Sequence, residues 1–173
     1  MPLRQGINGL KAVKIILVIS DSHGQYIYLE KIQKQLPKPD YIIHLGDVAR
    51  DQDYISALFG CPVDMVAGNN DFFTNLPGEF TIREGKHIIW LTHGHGYGVY
   101  NGTERLVKRA KALGADTVMF GHTHRPCVDW KDGVQVINPG SISLPRQESR
   151  KPTYIQMRVG EDGEIDYRVF EVS

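Results

Sequence analysis

Five short polar clusters hold most of the side chains in this sequence that can do chemistry. They are Asp21-Ser22-His23-Gly24, Gly46-Asp47, Gly68-Asn69-Asn70-Asp71, His93-Gly94-His95-Gly96 and Gly121-His122-Thr123-His124. The chain has 7 histidines, and all but His44 and His87 sit in these clusters. Imidazole mixed with carboxylate and amide oxygen is a donor set for first-row transition ions, whereas Mg and Ca prefer shells made wholly of oxygen. Asp21 and His23 are two residues apart, as are His122 and His124, and in extended backbone such pairs point to the same side. Each pair is therefore expected to face one cavity. A single cluster is weak evidence, since Asp47 could cap a helix and Asn69-Asn70-Asp71 could be an ordinary Asx turn. The force lies in finding five of them in equivalent places.

Those places are the ends of apolar runs. KIILVIS precedes the first cluster, YIIHL the second, VDMVA the third, HIIWLT the fourth and DTVMF the fifth. Runs of this length and composition read as strands, and in α/β sheets the C-terminal strand ends line the crevice where ligands bind. The first run, from Val13, is apolar on both alternating faces and predicts a strand buried on two sides. Helices are expected over Tyr26 to Leu36, stopped by Pro37 and Pro39, over Asp53 to Phe59, stopped by Gly60, and over Thr103 to Leu113, stopped by Gly114. EFTIRE and KHIIWLT read as adjacent antiparallel strands. CVDWKDGVQVIN reads as a hairpin turning at Asp132-Gly133, and the last twenty residues as another around Glu161 to Gly163. An alternating α/β half followed by hairpins predicts two packed sheets with helices outside rather than one doubly wound sheet. His44, inside YIIHL, is expected in the core or supporting the site. His87 starts a strand and should be exposed, and Asn138-Pro139-Gly140 reads as a tight turn.

Composition narrows the class of function. The chain has 173 residues, 41% hydrophobic, enough for one domain with one sizeable core, expected over residues 13–173. Residues 1–12 hold two Gly, a Pro and few core candidates, and read as a flexible extension. Twenty basic residues balance twenty acidic ones, so no global field draws the chain to nucleic acid or an anionic membrane. Cys61 and Cys127 have no CxxC or CxxH neighbour, which argues against a disulfide scaffold or a thiolate zinc site, and both are expected to be buried. No run is long and apolar enough to span a bilayer, and the N-terminus lacks the hydrophobic core of a signal peptide. A cytoplasmic location is the expectation.

In order and in placement after strands, the clusters resemble the pattern D-x-H, G-D, G-N-H-[DE], H, G-H-x-H of the calcineurin-like metallophosphoesterase superfamily. With the later segment NPGSISLPR, Asn138 to Arg146, they resemble its small bacterial and archaeal phosphodiesterase branch. The resemblance implies a four-layer α/β/β/α sandwich of two mixed sheets flanked by helices. It also implies two divalent ions, Mn first, with Ni, Fe, Zn and Co compatible and Mg disfavoured. One ion would be held by Asp21, His23, Asp47 and His124, and the other by Asp47, Asn69, His93 and His122, with Asp47 as the bridge. A hydroxide between two such ions would attack the phosphate, so no Ser or Cys nucleophile is needed. The chain departs from the pattern at Asn70, where the superfamily carries a His credited with stabilising charge or protonating the leaving group. An amide can donate a hydrogen bond but cannot deliver a proton, so good leaving groups are expected, with His95 a candidate substitute donor. Arg146, after a Gly/Pro-shaped loop, is a candidate for a phosphate oxygen.

A small phosphodiester is the leading substrate class, with a phosphomonoester as the alternative. A non-catalytic scaffold, like the retromer subunit that resembles these enzymes, would have no chemical reason to keep imidazoles at every ligand position. A nuclease would want an aromatic-basic stripe that the chain lacks, so nucleic acid is disfavoured as a partner. Nothing in the sequence decides whether the chain forms a homo-oligomer. The substrate pocket would be shaped by the loops Phe72 to Glu79 and Gly96 to Gly102.

Overall fold

A computed structural model of the chain describes residues 13–49 and 52–173, so the N-terminal extension read from the sequence lies outside the described residues. The strand run from Val13 becomes β1, Lys14–Ile19, followed by α1, Ile27–Gln35, β2, Tyr41–His44, α2, Gln52–Phe59, and β3, Val63–Met65. Then come β4, Glu79–Glu84, β5, His87–Thr92, two short 3-10 turns at His95–Tyr97 and Val99–Asn101, and α3, Glu104–Ala112. The chain ends with β6, Thr117–Met119, β7, Pro126–Lys131, β8, Val134–Pro139, β9, Thr153–Val159, and β10, Ile165–Glu171. Each predicted helix ends within a residue or two of its expected breaker, because Pro37, Gly60 and Gly114 cannot continue it without penalty.

The strands form two five-stranded sheets, ordered β10-β9-β1-β2-β3 and β4-β5-β6-β8-β7. Both are mixed: β1 pairs parallel with β2 and antiparallel with β9, and β6 pairs parallel with both β5 and β8. Period-two alternation sorts the apolar residues into three layers. Ile16 and Val18 of β1 meet Ile89 and Leu91 of β5, Met119 of β6 and Ile137 of β8 in the core between the sheets. Leu17 and Ile19 face outward onto Leu29 and Ile32 of α1 and Ile55 of α2. On the other side, Trp90, Val118 and Val136 pack under Leu106, Val107 and Ala110 of α3. The result is the helix, sheet, sheet, helix order expected from the pattern.

This arrangement directs the C-terminal ends of β1, β2, β5 and β6 to one rim and the hairpin tips to the other. At the tip rim, Asp132 (φ 50°) and Gly133 (φ 80°) join β7 to β8 in a two-residue turn, with Lys131 paired to Val134. The tips of β4–β5 and β9–β10 meet there, where Lys86 N–H donates to the Gly163 carbonyl at 3.1 Å. His87 is half-buried rather than exposed, its Nδ1 3.2 Å from Asp116. Cys61 is buried as expected, whereas Cys127 is only partly covered because β7 is an edge strand. No helix among the described residues is long and apolar enough to cross a membrane.

Candidate metal centre

The loops after β1 and β2 are zipped together: Asp21 N–H donates to the Gly46 carbonyl at 3.0 Å and His23 N–H to that of Asp47 at 2.9 Å. His44, wholly buried, ties the same two loops from beneath, with Gly46 N–H on its Nδ1 and its Nε2 3.0 Å from Ser22 Oγ. Since Nδ1 accepts, Nε2 carries the proton and donates to the serine. Burial lowers the His44 pKa to about 4, so the ring is neutral at pH 7. The supporting role expected for His44 is thus the observed one, and no sequence pattern distinguished it from plain core packing.

Across the sandwich, the loop after β5 is fastened by His93, whose Nδ1 lies 2.6 Å from the Leu45 carbonyl. The loop after β6 is fastened by His124, whose Nδ1 lies 2.7 Å from the Leu144 carbonyl. A carbonyl can only accept, so both rings carry hydrogen on Nδ1 and, when neutral, present a lone pair at Nε2. Those two Nε2 atoms converge on the carboxylates. His124 Nε2 is 3.2 Å from Asp21 Oδ1 and 3.4 Å from His23 Nε2. His93 Nε2 is 3.5 Å from Asp47 Oδ2, 3.8 Å from Asp21 Oδ1 and 3.1 Å from Asn69 Oδ1. His23 Nε2 is 3.6 Å from Asp47 Oδ2.

Two overlapping groups of ligand atoms result, each lying within 4.8 Å of one another: Asp21, His23 and His124, and Asp21, Asp47 and His93. Asp21 belongs to both groups, while Asp47 touches both through His93 and His23. His122 stands at the edge, its ring centroid 5.1 Å from that of His93, and its N–H donates to Asp21 Oδ2 at 3.1 Å. Asn70 is turned to the same centre, donating its backbone N–H to Asp47 Oδ1 at 2.9 Å and its amide to Oδ2 at 2.8 Å. His95 lies outside the cluster on the exposed rim, 5.5 Å from the His93 ring and 6.1 Å from that of His122.

The donor chemistry of this cage fits cations. Oδ1 of Asp21 is buried and has no hydrogen-bond donor, although three imidazole nitrogens, those of His23, His93 and His124, face it. Acceptors aimed at one another in a buried space repel unless a cation or proton lies between them. The side chains respond as that requires. Burial would lower the His93 pKa, but the adjacent Asp47 and Asp21 carboxylates raise it. Burial would raise the Asp47 carboxyl, but His93 and the two Asn70 donors hold it far below its ordinary value. His23, His122 and His95 are lowered, chiefly by burial, which favours their neutral form.

The backbone differs from the expectation of extended DxH and HxH pairs. Asp21, His23, Asp47, His122 and His124 all have φ between 47° and 67°, in the left-handed region. The pairs share a cavity because alternate residues turn back on the strand end, not because the segment runs straight. A non-glycine residue pays roughly 1–2 kcal/mol to sit there, and such strain persists only where the surroundings over-determine it. Close packing does so here. A Cβ on Gly68 would fall 2.2 Å from Asp47 Oδ1, and one on Gly121 would fall 2.1 Å from Ser20 Oγ, so both positions need glycine.

The structure also places residues the sequence left as turn formers. Asp71 is 5% exposed and accepts four backbone N–H groups, those of Asp47 and Gly68 on Oδ2 and of Val48 and Ala49 on Oδ1, at 2.7–3.0 Å. It therefore holds the Asp47 loop. Asn138, at the end of β8, donates to the Gly121 carbonyl at 2.9 Å, and Ser141 and Ser143 both donate to the Asp21 carbonyl at 2.8 Å. Arg146 N–H donates to the His124 carbonyl, while its guanidinium donates to the Tyr100 hydroxyl at 2.6 Å. That hydroxyl in turn donates to the His122 carbonyl at 2.9 Å, with the Tyr100 ring 5.0 Å from the His122 ring.

With the geometry in hand, comparison with known proteins is direct. Residues 15–162 match the calcineurin-like phosphoesterase superfamily domain. A probable metallophosphoesterase of Bacillus subtilis, YsnB, is 37% identical over 132 residues, covering 76% of each chain. The phosphodiesterase YfcE of Escherichia coli is 36% identical over 157 residues, covering 76% of this chain and 80% of its own. Among solved structures, a predicted phosphoesterase of Streptococcus pneumoniae superposes with a TM-score of 0.73 at 27% identity, covering 92% of this chain and 98% of its own. Vacuolar Protein Sorting 29 of Cryptosporidium parvum superposes with a TM-score of 0.71 over 93% of this chain and 98% of its own, and at 21% identity it shares the fold.

Proposed function

Because the chain belongs to the calcineurin-like phosphoesterase superfamily, we propose that it is a cytoplasmic, dinuclear, Mn-dependent phosphodiesterase. The observation that carries this reading is the buried cage of mutually facing acceptors around Asp21 Oδ1, which has no donor of its own. Asp21, His23, Asp47 and His124 would hold one ion, and Asp47, Asn69, His93 and His122 the other. When bound, the ions supply Lewis acidity toward a phosphate oxygen and a solvent nucleophile at neutral pH.

The remaining residues prepare the site for that chemistry. His93 and His124, each with Nδ1 committed to a carbonyl, are locked with Nε2 forward, so the ligand set needs no reorganisation. Asn70 gives its backbone N–H and one amide N–H to Asp47, and as an amide it can give no proton to a leaving group. His95 is the neighbouring imidazole outside the ligand set and would serve a poor leaving group in its place. Arg146, whose guanidinium donates to Tyr100, would offer its remaining N–H groups to a phosphate oxygen. A diester is favoured over a monoester by the 36% identity to a phosphodiesterase. A mere scaffold would have no reason to hold five Asp and His residues in strained backbone around one cavity.

The test is hydrolysis of bis(p-nitrophenyl) phosphate by the chelator-stripped and Mn-reconstituted chain. Activity should return with metal and fall by about 10³-fold or more in Asp47→Asn. Full activity in the stripped protein would overturn the proposal.

A further inference from the structure

The turn that carries Asp71 also carries two phenylalanines with nothing to pack on. Phe72 is 79% exposed and Phe73 102%, at the centre of a turn closed by Thr74 N–H to the Asp71 carbonyl at 3.3 Å. Thr74 Oγ1 donates to the same carbonyl at 3.0 Å. This turn is anchored, because the Asp71 carboxylate is the acceptor for four N–H groups of the Asp47 and Gly68 loops. The backbone that carries the aromatic pair is therefore tied to the loop of Asp47. Phe72 lies two residues from Asn70, so its Cα is within about 7.6 Å of that of a residue bonded to Asp47. Adjacent exposed aromatic side chains this near in the chain to a polar cluster mark a place where something apolar can dock.

What docks there follows from Asn70. With Asn70 unable to give a proton, the leaving oxygen departs most readily when it is a good leaving group on its own, and an aryl oxygen is one because its ring delocalises the charge. The same ring is flat and apolar, the shape that two exposed phenylalanines can receive. The polar rim formed by Tyr100 and Arg146 is bound instead to the loop of His122 and His124.

We propose that Phe72 and Phe73 form a platform for the aromatic leaving group of the substrate, which is a phosphate ester of an aryl alcohol. The inference rests on the phosphoesterase reading and narrows it. In the reaction, water oxygen bonds to phosphorus, the phosphorus to aryl-oxygen bond breaks with its electron pair on the aryl oxygen, and solvent supplies the proton that completes the phenol.

The platform is tested by calorimetric binding of phenylphosphonate and methylphosphonate to the Mn-loaded full chain, at a pH where both are dianions. Phenylphosphonate should bind about tenfold more tightly, from apolar contact and ring stacking, and Phe72→Ala/Phe73→Ala should bring the two affinities together. Equal affinities in the unmodified chain, or a preference unchanged by the double substitution, would overturn the inference. Methyl phenyl phosphate is assayed in parallel. An intact phenyl preference without turnover of this diester would support the platform and count against the esterase reading, so the two failures are distinguishable.

Discussion

The two rims of the sandwich solve the same geometric problem with different residues. Both reverse the chain through left-handed backbone. At the hairpin rim the positive φ falls on Gly85, Gly133 and Gly163, with Asp132 the one substituted residue of the β7–β8 turn, and Asp tolerates that conformation. At the opposite rim it falls on Gly24, Gly46 and Gly94 and on Ala49, but also on five Asp and His residues, Asp21, His23, Asp47, His122 and His124. Glycine would be cheaper at each of these five positions. Its absence means that the side chain matters more there than local stability, so the strain marks which rim does chemistry.

The contrast can be broken most severely at Asp71, which holds the strained Asp47 loop without touching the acceptor cage. Asp71→Asn exchanges an acceptor oxygen for an amide that must face N–H groups of the same sign. Mn affinity by calorimetry should fall about 10–100-fold, while the tip rim keeps its amide exchange protection. Equal loss of protection at both rims would show Asp71 to be a general stabiliser.

Proton competition is the next largest effect. His93 is raised above its ordinary value by Asp47 and Asp21, and as a ligand it would bind metal only when neutral. As pH falls through that raised value, the proton should displace the ion and Mn affinity should drop about tenfold per pH unit. Above it, affinity should level off. Calorimetry in buffers of different ionisation enthalpy should find proton uptake by buffer on the low side. Affinity flat down to pH 5 would remove His93 from the ligand set.

The smallest effect is the strain itself. In the metal-free chain, His23→Gly should be more stable than His23→Ala by about 1 kcal/mol in urea melts, reversing the usual order of the two residues. Asp132→Gly against Asp132→Ala should give the same sign at the other rim, with catalysis untouched. If His23→Ala were the more stable, the left-handed geometry at the site would carry no cost.

Much of this was legible before any coordinates. The five clusters, the strands they terminate and the α/β/β/α order follow from side-chain chemistry and period-two burial, which a single sequence displays directly. What stayed hidden was whatever acts through the backbone. The grip of Asp71 on four N–H groups, the bonds of Ser141 and Ser143 to the Asp21 carbonyl and that of Asn138 to the Gly121 carbonyl all join distant segments. Their residue types are equally at home in ordinary turns. The left-handed cluster loops were missed for a related reason: DxH and HxH spacing is compatible with two backbone shapes, and contacts between distant segments decide between them. Tyr100 carried no signal at all, being one exposed tyrosine in a loop.

The most direct measurement is anomalous diffraction from crystals of the Mn-loaded chain. Two peaks about 3.5–4 Å apart are predicted, one against Asp21, His23 and His124 and the other against Asp47, Asn69 and His93. A cage without a peak, or a single ion bound elsewhere, would contradict the account.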